Sequence, residues 1–111
     1  MDDSIAAVHA HGEIDAANAD RFCDYVLGLA PDCQHLMVDL SELTFLGTEG
    51  FSALRRIRSE LVDTSWVVVS SPAVARILRV CDRAGEFTVA GSVEAALALL
   101  RDEPGRHLVS C

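Results

Sequence analysis

Two short apolar runs, "HLMVDL" at 35–40 and "WVVVS" at 66–70, constrain this chain more than any other feature. Neither alternates polar with apolar, so neither suits a strand with one wet face. Each suits a strand buried on both faces, as in a parallel sheet covered by helices. The flanking segments agree. "IAAVHAHGEI" at 5–14 reads as a first strand, with Ile5, Ala7, His9 and His11 on one face. From Ala16 onward, Ala19, Phe22, Cys23, Val26 and Leu27 recur at the spacing of an amphipathic helix, and Pro31 with Asp32 marks a turn. After Gly47, a second helix is defined by Leu54, Ile57, Arg58 and Leu61, with Arg55 and Arg56 on its outer side. Ser71 then Pro72 starts a third helix correctly, because Ser caps and Pro fits the first turn. Its inner face is Val74, Ile77, Leu78 and Cys81. "EFTVAG" at 86–91 is a last short strand, and Ser92 caps a final helix that turns Val93, Ala96, Leu97 and Leu100 inward. Beyond this, residues 103–111 read as a flexible tail. The expected fold is α/β: one domain over 1–111, with a parallel or mixed sheet of four to five strands. About four helices should pack mainly on one face of it.

Composition removes whole classes of function. The net charge of −8 repels phosphate backbones and anionic membranes, so no direct nucleic-acid or membrane partner is expected. No apolar run approaches the roughly 20 residues of a membrane span. The start "MDDSIAAVHAHGEID" lacks the layout of a signal peptide, which makes a cytoplasmic location the expectation. All nine basic residues are Arg, and the missing Lys excludes Schiff-base chemistry and a phosphate-binding P-loop. With no nucleophile–base pair either, the chain is not expected to be an enzyme or to hold a cofactor. Cys23, Cys33, Cys81 and Cys111 show no zinc-like spacing. Cys23 and Cys81 read as small hydrophobes on buried helix faces, while Cys33 falls in a loop and Cys111 ends the chain. His9 and His11 alternate on a strand with no carboxylates arranged around them, so no metal site is expected. Few aromatics are present, and the core should be aliphatic.

The segment "DLSELTFLGTEGFSAL" at 39–54 opens as a strand, breaks at Gly47 and restarts as a helix. Backbone N–H groups in a first helical turn lack intrahelical partners and carry the positive end of the dipole. Thr48 therefore has two readings: a cap residue, or a hydroxyl whose phosphate would rest on free amides. Glu49 likewise either complements the dipole or partly imitates a phosphate. Asp15 and Asn18 form either a turn with an early-helix cap or part of a partner-facing edge.

A resemblance bears on these alternatives. "VDLSELTFLGTEGFSALRRI" at 38–57 resembles the signature of STAS domains, the family of bacterial anti-sigma factor antagonists. Members show Asp-Leu-Ser, an aromatic, then Asp-Ser-Ser-Gly-Leu. "HGEIDAANADRF" at 11–22 is similar to the family's Gly-Glu-Leu-Asp stretch, and 67–100 follows its remaining order of elements. The resemblance implies a STAS-like fold and a switch protein, a monomer or weak dimer. Its partner would be an anti-sigma factor that is itself a serine/threonine kinase using ATP and magnesium. The unphosphorylated domain binds that kinase and frees a sigma factor, and phosphorylation ends the binding. By motif the acceptor is Thr48, and the partner surface comprises Asp15, Asn18, Gly47, Glu49 and Gly50. An arginine at Gly50 should then block the partner and leave melting largely unchanged. The sequence departs from the motif at Gly47, where the family has Asp, and at Glu49, where it has Ser. Those departures favour an alternative, a STAS module of a transporter or sensor complex without a phospho-switch.

Overall fold

A computed structural model describes residues 5–29 and 34–109, with side chains as far as Arg101. In chain order the elements are β1 (Ile5–Ile14), α1 (Ala19–Leu29), β2 (His35–Leu46) and α2 (Thr48–Glu60). β3 (Ser65–Val69), α3 (Pro72–Cys81), β4 (Val89–Ala90) and α4 (Val93–Val109) follow. Cys33, Cys111 and the turn at Pro31–Asp32 lie outside the described residues. α4 continues past Pro104 into the stretch read as a tail. No helix among the described residues is long and apolar enough to cross a membrane.

The strands form one four-stranded sheet in the order β1-β2-β3-β4. All its pairings are parallel, where a mixed sheet was also expected. The reason is the strict alternation: one helix separates each pair of strands and returns the chain to the starting edge. β4 is only two residues long, so the sheet tapers at that side.

Side chains from the two faces build two separate cores. On one face Val8, Leu36, Val38, Leu40 and Val68 pack under Val26, Leu54, Ile57 and Val74 of α1, α2 and α3. On the other, Met37, Val67, Val69 and Ala90 meet Ala96 and Leu100 of α4. Three helices thus share a face and the fourth covers part of the opposite one. Leu36, Leu40, Leu54 and Ile57 are fully buried, and each side chain is worth about 1.5–3 kcal/mol by removal from water. The helix starts follow local rules. The Ser71 hydroxyl accepts the N–H of Val74 at 3.2 Å, and the Ser92 hydroxyl that of Ala95 at 3.1 Å.

Two expectations fail at the end of α3. Cys23 is buried as anticipated, but Cys81 is exposed. The apolar stripe of α3 runs out of surface to cover in its last turn, because the next loop fills that corner. Both Asp82 carboxylate oxygens accept backbone N–H groups, from Glu86 at 2.8 Å and Phe87 at 3.2 Å. That loop carries Phe87 inward, between Phe51 at 5.8 Å and Trp66 at 5.9 Å, both edge-to-face. The core is therefore not purely aliphatic; an aromatic relay closes one end of it.

β2 spans 12 residues and β1 only 10. The pairing slips twice to absorb the difference: His9 faces Asp39 but His11 faces Glu42, and Gly12 faces Leu43 but Glu13 faces Phe45. Each slip places one extra residue in β2, as in a β-bulge. Gly12 adopts φ +88° beside the second slip, a region glycine tolerates.

α2 lies unusually close to the sheet at Gly50. A Cβ there would run into Leu46 Cδ1 and come within 3.1 Å of Ile14 Cγ2. Gly50→Ala is therefore expected to destabilise the fold by about 1–3 kcal/mol through overpacking. Chemical denaturation monitored by circular dichroism measures this; an unchanged midpoint would show that α2 has room to lift.

Candidate functional site

β1 and β2 end side by side, and the Gly47 N–H donates to the Ile14 carbonyl at 3.0 Å. This bond draws the two junctions, 15–18 after β1 and 47–50 after β2, to one end of the sheet. α1 and α2 begin there, and a groove of about 350 Å³ between them is lined by Ala16, Asp20, Cys23, Glu49, Ser52 and Arg56. A larger cleft of about 720 Å³ lies towards the other end of α2, lined by Arg58, Trp66, Glu86, Phe87 and Leu99 among others.

The turn at 15–18 is held by its own polar side chains. Asn18 Oδ1 accepts the Asp15 N–H at 2.9 Å, and Asn18 Nδ2 donates to the Glu13 carbonyl at 2.9 Å. Asp15 Oδ1 accepts the Ala17 N–H at 2.9 Å. These bonds give Asp15 and Asn18 the turn-forming role that one of their two readings held.

At the start of α2 the cap is Gly47, in an extended conformation with no side-chain cap bond. Thr48 is the first helical residue and exposed, not the capping residue of the simpler reading. The Gly47 carbonyl accepts the Phe51 N–H at 3.1 Å, so the N–H groups of residues 48–50 precede the first intrahelical bond. A hydroxyl that leaves these amides uncapped stands beside the positive end of the dipole. Glu49 is exposed, and its carboxylate folds back towards Gly47: Oε1 lies 3.1 Å from where a Cβ at 47 would be. Gly50, by contrast, faces the core. An arginine there would break the packing of α2 on Leu46 and Ile14, so it cannot leave melting unchanged as the motif alone suggested.

A polar cluster that the sequence did not reveal lies on the first slip of the β1–β2 pair. His9 Nδ1 is 3.2 Å from Asp39 Oδ2, and Nε2 is 3.3 Å from Glu42 Oε1. Both ring nitrogens thus face carboxylate oxygens, an arrangement that only the doubly protonated imidazolium satisfies. Asp39 Oδ1 also accepts the Ser41 N–H at 3.0 Å. Hydrogen bonding to Asp39 raises the His9 pKa above 6.5, against a smaller opposing effect of burial, and Glu42 adds to the rise. For Asp39, burial works to raise the pKa, but the bonds from Ser41 and His9 outweigh it and hold the carboxyl below its usual value. His11 stands beside His9 with ring centroids 6.1 Å apart. Among the described residues, no three His, Cys, Asp or Glu side chains are grouped to hold a metal ion.

With this geometry in view, the relatives are informative. The model of the STAS domain matches residues 1–96. The chain belongs to the STAS-domain family. Two Mycobacterium tuberculosis proteins illustrate the STAS relatives. The anti-sigma-F factor antagonist RsfA is 35% identical over 103 residues, covering 86% of this chain and 80% of RsfA. Osmosensory protein A is 35% identical over 107 residues, covering 90% of this chain and 67% of that protein. A crystal structure of an anti-sigma factor antagonist from Mycobacterium paratuberculosis superimposes with a TM-score of 0.82 at 28% identity. That match covers 92% of this chain and 90% of the other.

The His9 cluster generates a pH dependence. A folded-state pKa above the unfolded value gives stability that is complete below pH 6.5 and is lost as pH rises through the raised value. As the pH rises above about 6.5 the melting temperature of the wild type should fall relative to that of His9→Gln. Parallel curves for the two proteins in differential scanning calorimetry would remove His9 from the account.

Proposed function

We propose that this chain is an anti-sigma factor antagonist, a regulatory binding protein without catalytic activity of its own. In its unphosphorylated form it binds an anti-sigma factor of the serine/threonine kinase type in the cytoplasm and thereby releases a sigma factor. Phosphorylation at Thr48 ends that binding. The observation that carries the reading is Thr48 itself: exposed, first in α2, and beside backbone amides that no side chain caps. The likeness to proteins named as anti-sigma factor antagonists supports the partner class.

The physics of the switch is local. A phosphate brings about −1.5 to −2 charge, which the free amides of the α2 start accommodate without unfolding the domain. The same charge opposes association, because desolvating a dianion at an interface is costly unless a partner group pairs with it. Glu49, folded back over the helix start, adds a like charge beside the acceptor. A second reading, a STAS module without a phospho-switch, rests on Gly47 and Glu49, which stand where the family's motif has Asp and Ser.

Incubation with the cognate anti-sigma kinase and Mg-ATP should add one phosphate per chain, detected by intact mass, and Thr48→Ala should abolish it. Binding of the kinase to the unmodified chain without phosphate transfer would leave the second reading in place. Glu49→Ser separates the roles of that carboxylate. If the charge imitates phosphate, the substitution tightens kinase binding in calorimetric titration. If it only complements the dipole, binding does not tighten and stability falls by about 0.3–1 kcal/mol.

A further inference from the structure

The aromatic residue that precedes the α2 junction is turned outward by a specific backbone device. Along β2, Leu43 is buried, Thr44 and Phe45 are both exposed, and Leu46 is buried. Unbroken alternation from Leu43 would bury Phe45 and expose Leu46. The second slip of the β1–β2 pairing falls between them: Gly12 faces Leu43, and Glu13 faces Phe45. Thr44, the extra residue, donates its hydroxyl to the Gly12 carbonyl at 3.0 Å, and Gly12 takes φ +88°. An inserted residue of this kind re-aims the side chains that follow it. Here the consequence is a phenylalanine 49% exposed, three positions before Thr48.

Position 47 shows where the ring lies. A Cβ there would stand 3.3 Å from Phe45 Cε2, 3.6 Å from Cζ and 3.1 Å from Glu49 Oε1. The aspartate of the family motif would therefore crowd both groups, and glycine leaves the ring lying across the helix cap. Glu13, the cross-strand neighbour of Phe45, is exposed, as is Glu49. An exposed apolar ring neighboured by two exposed acidic residues, on a chain of net charge −8, is complementary to an apolar pocket edged by basic side chains.

We propose that Phe45 is the apolar anchor of the partner interface, inserted into a pocket of the anti-sigma factor whose rim presents Arg or Lys to Glu13 and Glu49. This rests on the antagonist reading above. It assigns the contact to the ring and the two flanking carboxylates, and it takes Gly50 out of the contact surface, since that residue faces the core.

The test is a titration of the anti-sigma kinase used in the phosphorylation assay against wild type, Phe45→Ala, Glu13→Gln/Glu49→Gln and Tyr25→Ala. Tyr25 is the control, an aromatic 61% exposed on α1. Phe45→Ala should weaken binding by about tenfold or more without lowering the melting temperature. The double glutamine variant should slow association and flatten its salt dependence. Tyr25→Ala should bind like wild type. Equal binding by Phe45→Ala and wild type overturns the anchor and leaves the antagonist reading standing. No binding by wild type to any anti-sigma kinase of the source cell overturns both. Sedimentation supplies the last outcome: a wild-type dimer that Phe45→Ala dissolves would make the occupant a second copy of the chain, and the proposal would fall.

Discussion

The close approach of α2 to the ends of β1 and β2 is the contact on which the rest of the molecule depends. It requires the missing side chain at Gly50, against Leu46 and Ile14, and the bond from the Gly47 N–H to the Ile14 carbonyl. Together they determine where the helix begins, how its axis meets the sheet, and which residues its first turn shows to solvent. A bulkier residue at 50 would lift α2 from the core and uncouple its start from the 15–18 turn. The position of Thr48 is thus set by a packing constraint two residues away, on the dry side of the same helix.

The exposed side of that helix start is electrostatically unbalanced. Backbone amides present positive partial charge there, while Glu13 and Glu49 supply negative charge around it. In the unmodified chain the carboxylate of Glu49 folds back towards Gly47. A phosphate on Thr48 would meet the amides of the helix start with greater charge and more acceptor oxygens. Whether such a site is quiet or decisive depends on what is pressed against it, since water screens these charges and a dry interface does not.

Much of this architecture is legible in the sequence, and the exceptions have a common cause. β1 coincides with its apolar segment, the Ser71-Pro72 start of α3 follows capping chemistry, and the strand–glycine–helix break at 47 marks the site. What escaped depends on partners distant in the chain. The slips that expose Phe45 and gather His9, Asp39 and Glu42 arise from pairing across about 30 residues, and a single strand's pattern does not encode its register. Cys81 was misread because helical periodicity describes a face without saying where its cover ends. The cover ends where the Asp82 loop turns Phe87 inward.

The aromatic relay that runs from Phe51 of α2 through Phe87 to Trp66 has a use beyond packing. The chain holds one tryptophan, Trp66, and it sits edge-on to Phe87 by the last turn of that helix. Through Phe87 it is linked to Phe51, three residues after Thr48. Tryptophan fluorescence therefore has a single source, two ring contacts from the first turn of α2. It is a native optical probe of whether events at the start of α2 are transmitted through these rings to the sheet.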